Sequence, residues 1–452
     1  MRRDAVIGRL WATAAVTLAL LLAPAAAHAS VGNFAMAVQP DGKLLVAGGA
    51  GYSGGLSGGR EYAAVVRYLP GGGLDRSFGG GDGVVLLPKQ RPFTAIALQE
   101  NGRILLTSPV GGEGGVTRLQ PNGNLDRTFG SGGVLYAGAS SSYYPTGIRV
   151  DRDGAIFVGG MTGYLNDSSE HWYGWLYRIT SNGRTGEPTG GMTNGESDKP
   201  KTFINDFVFD PGGSVIAAGT VAERRLEAKS HAALARLTKD PLGGGLVTEP
   251  DPSFGGGAGL VESNFFPASP SPETANALAW QRGKLLVAGE ANTDLVVSRY
   301  TADGLLDGGF GHRGFESVGF GRGHTNVAND LALGAKASIY AAGSSSHGCG
   351  SGGCASLLLA RFGKDGKLAK RFGRGGLVSP SVDSKRYGRP AKEVAYAVIA
   401  RPQGTILVGG LLTGPQSSRF FLRRYLADGT PDRSFGKGGR LTTVPVLAER
   451  RR

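Results

Sequence analysis

The chain is poor in the residues that most often carry chemistry. In 452 residues there are two cysteines, six histidines, four methionines and four tryptophans. Two cysteines cannot form a disulfide framework. With only His347 close by in sequence, Cys349 and Cys354 also fall short of the four ligands of a structural zinc. One histidine, His28, belongs to the leader described below, and the other five are scattered, so no nucleophile–base pairing can be read from spacing. Beyond the first 29 residues no apolar run approaches the roughly 18 residues that span a bilayer. No helical periodicity is present there either. These absences argue against a helical membrane span, a zinc module and a helical bundle, and they leave a β-rich chain.

What is present is repetition. An apolar segment ending in arginine recurs at Arg67, Arg118, Arg178, Arg236, Arg299, Arg361 and Arg424, a period near sixty residues. Fixed-period self-similarity marks a repeat architecture. Each copy opens with a short apolar run, an Asp-Gly or Asn-Gly type turn and a second apolar run, as in Ala35–Val38, Asp41-Gly42 and Leu44–Gly48. Such turns need positive φ and signal a hairpin. A third run carries the arginine, a further turn follows (Asn122-Gly123, Asp303-Gly304, Asp428-Gly429), and then comes an Asp-x-x-Phe-Gly element such as Asp75 to Gly79. A short closing run makes four strands. The runs are apolar at nearly every position, so both faces must be buried. Four-stranded units in series with two-sided burial predict an all-β, seven-bladed β-propeller over residues 30–447, and an open solenoid would need polar capping repeats that neither end provides. The 78 glycines fall at matching offsets in successive copies, as turn residues should.

The N-terminus reads as a Sec-type leader, residues 1–29. Arg2 and Arg3 precede a short apolar core, and Ala27-His28-Ala29 stands before Ser30 as a small-x-small cleavage site. The expected product is secreted and monomeric, with no membrane span. Its removal takes away three cations and one anion, which lowers the net charge from +13 to +11. The basic residues are spread through all copies, apart from a short tail at 448–452, so they read as a solvated surface. An exported protein meets little nucleic acid. A cell-envelope polyanion, glycan or protein is the expected partner. In an exported chain the close pair Cys349 and Cys354 predicts a local disulfide.

The strings AVQPDGKLLVAGG (Ala37 to Gly49), RYLPGGGLDRSFG (Arg67 to Gly79) and RYLADGTPDRSFG (Arg424 to Gly436) resemble the bacterial delta-60 repeat. The resemblance implies a β-propeller in exported or surface proteins whose molecular role is mostly unassigned. Three copies depart from the pattern: the third lacks the Asp-x-x-Phe-Gly element, the sixth has Ala369 in place of its aspartate, and the second reads Leu106-Thr107-Ser108 where others have Val-Ala-Gly.

Residues common to all copies read as scaffold, so candidate sites are sought where copies differ. Arginine and aspartate eight apart (Arg67/Asp75, Arg118/Asp126, Arg299/Asp307, Arg424/Asp432) suit an ion pair within one unit. Asp151-Arg-Asp153-Gly154 begins like a calcium loop but lacks its further ligands, and a hairpin turn accounts for it. Where the opening strand begins, Asn205, Asp206, Asn276, Asn329 and Asp330 form a polar set that would stand at the mouth of an axial channel. Propeller lactonases of the regucalcin type bind a hard cation with Asn and carboxylate oxygens at such a mouth. Local backbone capping is the plainer reading. Trp172, Tyr173 and Trp175 form an aromatic cluster suited to a sugar platform or to packing. No catalytic residue and no resident cofactor is assigned, with Ca²⁺ the one ion raised. The sequence thus predicts a binding or structural module, with a metal-dependent hydrolase or lactonase as the alternative.

Overall fold

Two apolar runs around a glycine turn can close only one hairpin, so each repeat has to stack further strands and neighbours to bury its faces. The computed structural model describes residues 33–51, 61–87, 90–110, 113–137, 142–166, 169–191, 201–222, 230–238, 250–257, 259–269, 271–348, 353–380, 392–414 and 417–443. The expected leader (1–29), the basic tail (448–452) and Cys349 lie outside them. So does the side chain of Trp172.

The described strands run in successive groups of four, each an antiparallel meander: 34–87, 95–137, 142–191, 201–263, 274–318, 324–378 and 392–443. These are called units one to seven. Five form separate four-stranded sheets. Units six and seven are joined into one eight-stranded sheet by a single parallel bridge, Ala355 to Lys392. The only helical pieces among the described residues are two short 3₁₀ turns, Phe254–Gly256 and Ala335–Ala337.

The turns follow the sequence reading. In unit one Gly42 has φ +82° and donates its N–H to the Gln39 carbonyl, while Asp41 Oδ1 accepts the Lys43 N–H. Asp151 Oδ1 does the same for Asp153 and Ala155, which makes the calcium-like string a hairpin turn. Because strands alternate in direction, all these turns gather on one face. The beginnings of the first strands and the connections between second and third strands gather on the opposite, loop face.

The core is divided among the seams. Among the described residues there are seven apolar clusters, each built from two neighbouring units. One of them joins the two ends of the chain: Phe34, Met36, Val46 and Tyr68 lie with Ala397, Leu407, Phe420 and Phe435. This arrangement explains why the strands are apolar on both sides.

The recurrent Arg, Asp and Phe build a second, polar seam on the turn face. Arg67 Nε lies 2.8 Å from Asp75 Oδ2, and the pairs Arg118/Asp126, Arg299/Asp307 and Arg424/Asp432 repeat this at 2.9, 2.9 and 2.7 Å. Each guanidinium sits over the phenylalanine of its own unit, as Arg67 does over Phe78 at 4.4 Å. Its Nη1 then donates to the carbonyl just before the glycine turn of the next unit: Arg118 to Ser181, Arg299 to Lys364, Arg361 to Ala427 and Arg424 to Pro70. The last of these again ties unit seven to unit one. The departures have local effects. Arg361, without an aspartate at 369, turns Nη2 to Ser338 Oγ at 3.0 Å. Arg178, in the third copy, has no carboxylate partner among the described residues.

Candidate functional site

The polar set predicted at the channel mouth sits at the loop-face end of the first strands, and its residues occupy β-bulges. In unit four Ile204 pairs with Gly219 and Asp206 with Ala218, so Asn205 is the extra residue. The same register shift leaves out Asn276, Asn329, Tyr396 and, in unit three, Thr146. A bulge ejects one side chain from the ladder and re-aims it. Here it is aimed at the next unit. Thr146 Oγ1 donates to the Ile204 carbonyl at 2.7 Å, and Asn205, Asn276 and Asn329 donate through Nδ2 to the carbonyls of Ala275 (3.0 Å), Ala328 (2.9 Å) and Ala395 (2.8 Å). Each acceptor is the residue just before the next unit's bulge. Asn205 and Asn276 also approach one another, at 3.4 Å.

A glycine across the ladder makes room. A Cβ at Gly219, Gly289, Gly343 or Gly410 would stand 1.7–1.9 Å from the carbonyl oxygen of Phe203, Thr274, Val327 or Val394. Only glycine lets the two backbones come this close. Unit two, which has Ser108 in that place, pairs Ala95 with Thr107 in unbroken register.

Asp206 and Asp330 follow their bulged asparagines and are both buried. Asp206 takes the N–H groups of Phe207 (2.8 Å) and, in unit five, Leu278 (2.9 Å); Arg149 of unit three donates to it at 2.7 Å. Asp330 takes Leu331 (2.8 Å) and, in unit seven, Val398 (2.6 Å). Burial pushes the Asp206 carboxyl up and the charge of Asp330 adds to that, while Arg149 and the Leu278 amide oppose. The five predicted residues are therefore brought together, and the bonds they make run from unit to unit. Among the described residues no group of three or more His, Cys, Asp and Glu is placed to hold a metal ion.

One residue escaped the sequence reading. Glu290 comes from the second strand of unit five, immediately after Gly289. It holds the position that Thr220 holds in unit four, where Thr220 Oγ1 lies 3.5 Å from the bulged Asn205. Glu290 is half-buried, and among the described residues nothing bonds its carboxylate. Burial alone pushes it up to about 7. The other buried glutamates are spoken for: Glu273 accepts the N–H groups of Phe265 and Phe266, and Glu393 takes a two-pronged bond from Arg423 at 2.7 and 2.9 Å. Aligning the second strands, rather than the first, would have placed Glu290 beside the asparagines.

The aromatic cluster is divided. Trp175 is 7% exposed, in the core with Ile148, Ile156 and Val158, and stands edge-on to Tyr177. Its indole therefore packs in the core shared by units two and three and not toward solvent. Tyr173 is half-buried, and Tyr144 is exposed nearby in the same sheet. Cys354 opens the third strand of unit six, and no cysteine among the described residues is free.

Comparison with known proteins agrees with this architecture. The family profile of a β-propeller domain of unknown function, DUF5122, matches residues 39–78, 283–310 and 402–435, in units one, five and seven. No curated protein matches the chain. Similar solved structures include the PQQ-bound aldose sugar dehydrogenase of Streptomyces coelicolor (15% identity, 77% of this chain and 93% of that one, TM-score 0.32). The polysaccharide lyase Uly1 is another (12%, 87% and 89%, TM-score 0.47). A third is a putative 6-phosphogluconolactonase of Bacteroides fragilis (12%, 89% and 98%, TM-score 0.42). The chain is a β-propeller, and nothing of those proteins' chemistry carries over to it.

Proposed function

We propose that the protein is an exported, seven-bladed propeller of delta-60-type repeats that serves as a binding or structural module at the cell surface or outside the cell. Seven blades in a closed ring are supported by the contacts between the first and last units, Phe34 on Phe420 with ring centroids 5.6 Å apart and Arg424 on the Pro70 carbonyl. The observation that carries the functional reading is the difference between the two faces. The turn face repeats one Arg–Asp–Phe clasp in units one, two, four, five and seven, whereas on the loop face the bulged residue changes between Thr, Asn and Tyr, and unit five brings Glu290, a half-buried carboxylate that nothing among the described residues bonds, beside the bulged asparagines. The ligand site belongs there. Tyr173 and Tyr144 of unit three, with Trp172 of the expected platform, suit a glycan, and a local Cys349–Cys354 disulfide fits an exported chain.

A metal-dependent hydrolase or lactonase is the second reading. Its support is the polar set Asn205, Asp206, Asn276, Asn329 and Asp330, which gathers at the first-strand bulges. Melting the secreted protein with calcium and then with a chelator separates the two, because an ion that binds only the folded state raises the melting temperature. No shift at millimolar calcium removes the hydrolase reading. A glycan array with Trp172→Ala and Tyr173→Ala controls tests the binding reading, and absence of any selective glycan removes the platform. N-terminal sequencing starting at Ser30, and an intact mass lower by two hydrogens, check the leader and the disulfide.

A further inference from the structure

The loop face holds a second polar concavity, away from the axial mouth, at the rim between units six and seven. It measures about 400 Å³ and is lined by Gly323, Thr325, Ser346, His347, Gly348, Gly353, Cys354 and Lys392. That size is in the range of small-molecule sites, roughly 300–1,000 Å³. Three adjacent strands supply its floor in direct register: His324 lies opposite His347, and His347 opposite Cys354. The two imidazoles lie against one another at a tilt of 34°, with centroids 5.3 Å apart, and His324 Nδ1 is 3.2 Å from Ser345 Oγ, which fixes its ring. Lys392 is brought to the opposite side by the parallel bridge to Ala355 and is exposed.

Among the described residues the charge lining this groove has one sign. Lys392 and the His347 imidazole line it, and Arg322, next to Gly323 in the chain, is exposed. No aspartate or glutamate is among the described lining residues. Glu393, next to Lys392 in the chain, is taken up by Arg423 at 2.7 and 2.9 Å, and Asp294 packs against Gly319, where an added Cβ would lie 2.0 Å from its Oδ1. Next to His324 stands Phe320, exposed at 41%, with ring centroids 6.0 Å apart. A cationic ammonium, an imidazole and hydroxyl donors in the lining, with an exposed aromatic next to His324, are the elements that recognise a carboxylated sugar: the ammonium takes the carboxylate, the hydroxyls take the ring hydroxyls, and an aromatic covers an apolar sugar face. An inorganic anion would use the charge and leave most of the volume and the aromatic unused.

We infer that the groove between Thr325, His347 and Lys392 is a binding site for a sugar acid, such as a uronate residue of an acidic polysaccharide. The probe is D-glucuronate, titrated calorimetrically into the secreted protein at low ionic strength, with D-glucose and inorganic phosphate as separate arms. Glucuronate binds saturably, and glucose and phosphate bind far more weakly. Lys392→Gln, an exposed substitution, and His347→Gln each weaken glucuronate by about tenfold, the value of one lost bond to a charged group. Arg371→Gln on the turn face leaves the affinity unchanged, and melting temperatures show the variants folded. Absence of saturable glucuronate binding overturns the inference, as does unaltered affinity in Lys392→Gln. Phosphate binding as tight as glucuronate overturns it too, since charge alone would then suffice.

Discussion

Asn276 Nδ2 donates to the carbonyl oxygen of Ala328, 2.9 Å away across the seam between units five and six. The residue that breaks the ladder of its own sheet is thus the one that binds the neighbouring sheet. Removing the amide leaves a buried carbonyl without its donor, a loss of about 1–2 kcal/mol. Asn276→Ala should lower the denaturation midpoint accordingly, and Asn276→Asp should lower it further at neutral pH, because a carboxylate would then face the carbonyl. An unchanged midpoint in both variants would show that the bond contributes nothing.

The glycines opposite the bulges make a sharper test. Ala at 289 would put a methyl carbon 1.8 Å from the Thr274 oxygen, so backbone must move. Overpacking of this kind costs about 1–3 kcal/mol or more. Gly71→Ala, by contrast, meets nothing within 4 Å. Urea titrations should show Gly289→Ala clearly destabilised and Gly71→Ala near the parent. Equal midpoints would mean that the bulge relaxes at no cost.

Much of this fold was legible in the sequence because its rules are local. The eight-residue step from Arg67 to Asp75 spans one turn, and the pair is formed as spacing predicts. The second half of the clasp was not legible, since the bond from Arg424 to Pro70 joins residues 354 apart and depends on which units become neighbours. The asparagines stood out as anomalies in the repeat. A linear alignment cannot tell a residue inside a ladder from the extra residue of a bulge, so their inter-unit bonds were hidden. Glu290 was missed for a related reason: it reaches the mouth from the second strand, while the search followed the first.

Two carboxylates should tilt the pH profile in opposite directions. Burial works against a charged Asp75, yet the Ser77 hydroxyl and N–H, with Arg67 and Lys43, hold it down at about 2. Its stabilisation is present above the ordinary value of 3.8 and is lost as pH falls through about 2. Glu290 is raised to about 7, so its contribution is full below the ordinary value of 4.5 and is lost as pH rises through about 7. Asp75→Asn should flatten the acid limb of melting temperature against pH. Glu290→Gln should flatten the limb between pH 4.5 and 7 and raise the melting temperature at pH 8. A parallel profile for Glu290→Gln would show that the carboxylate is already ionised at acid pH.

The seam between units three and four is held differently from the others, and this allows a test by paired substitution. Arg178 has no clasp partner among the described residues, whereas Arg149 donates to Asp206 at 2.7 Å and also to the Phe207 carbonyl. In three other units the two positions are filled by alanines: Ala37 and Ala35 in unit one, Ala97 and Ala95 in unit two, Ala279 and Ala277 in unit five. Removing one member of a buried pair strands the other charge and costs about 3–5 kcal/mol, while replacing both by apolar residues is often close to neutral. Arg149→Ala alone should therefore be strongly destabilising. The double variant Arg149→Ala/Asp206→Ala should recover much of the loss, short of the full amount because the Leu278 N–H loses its acceptor. Arg178→Ala should change little. If the two losses at 149 and 206 simply add in a double-mutant cycle, the pair is not coupled, and apolar contacts such as Phe157 with Phe207 hold this seam by themselves.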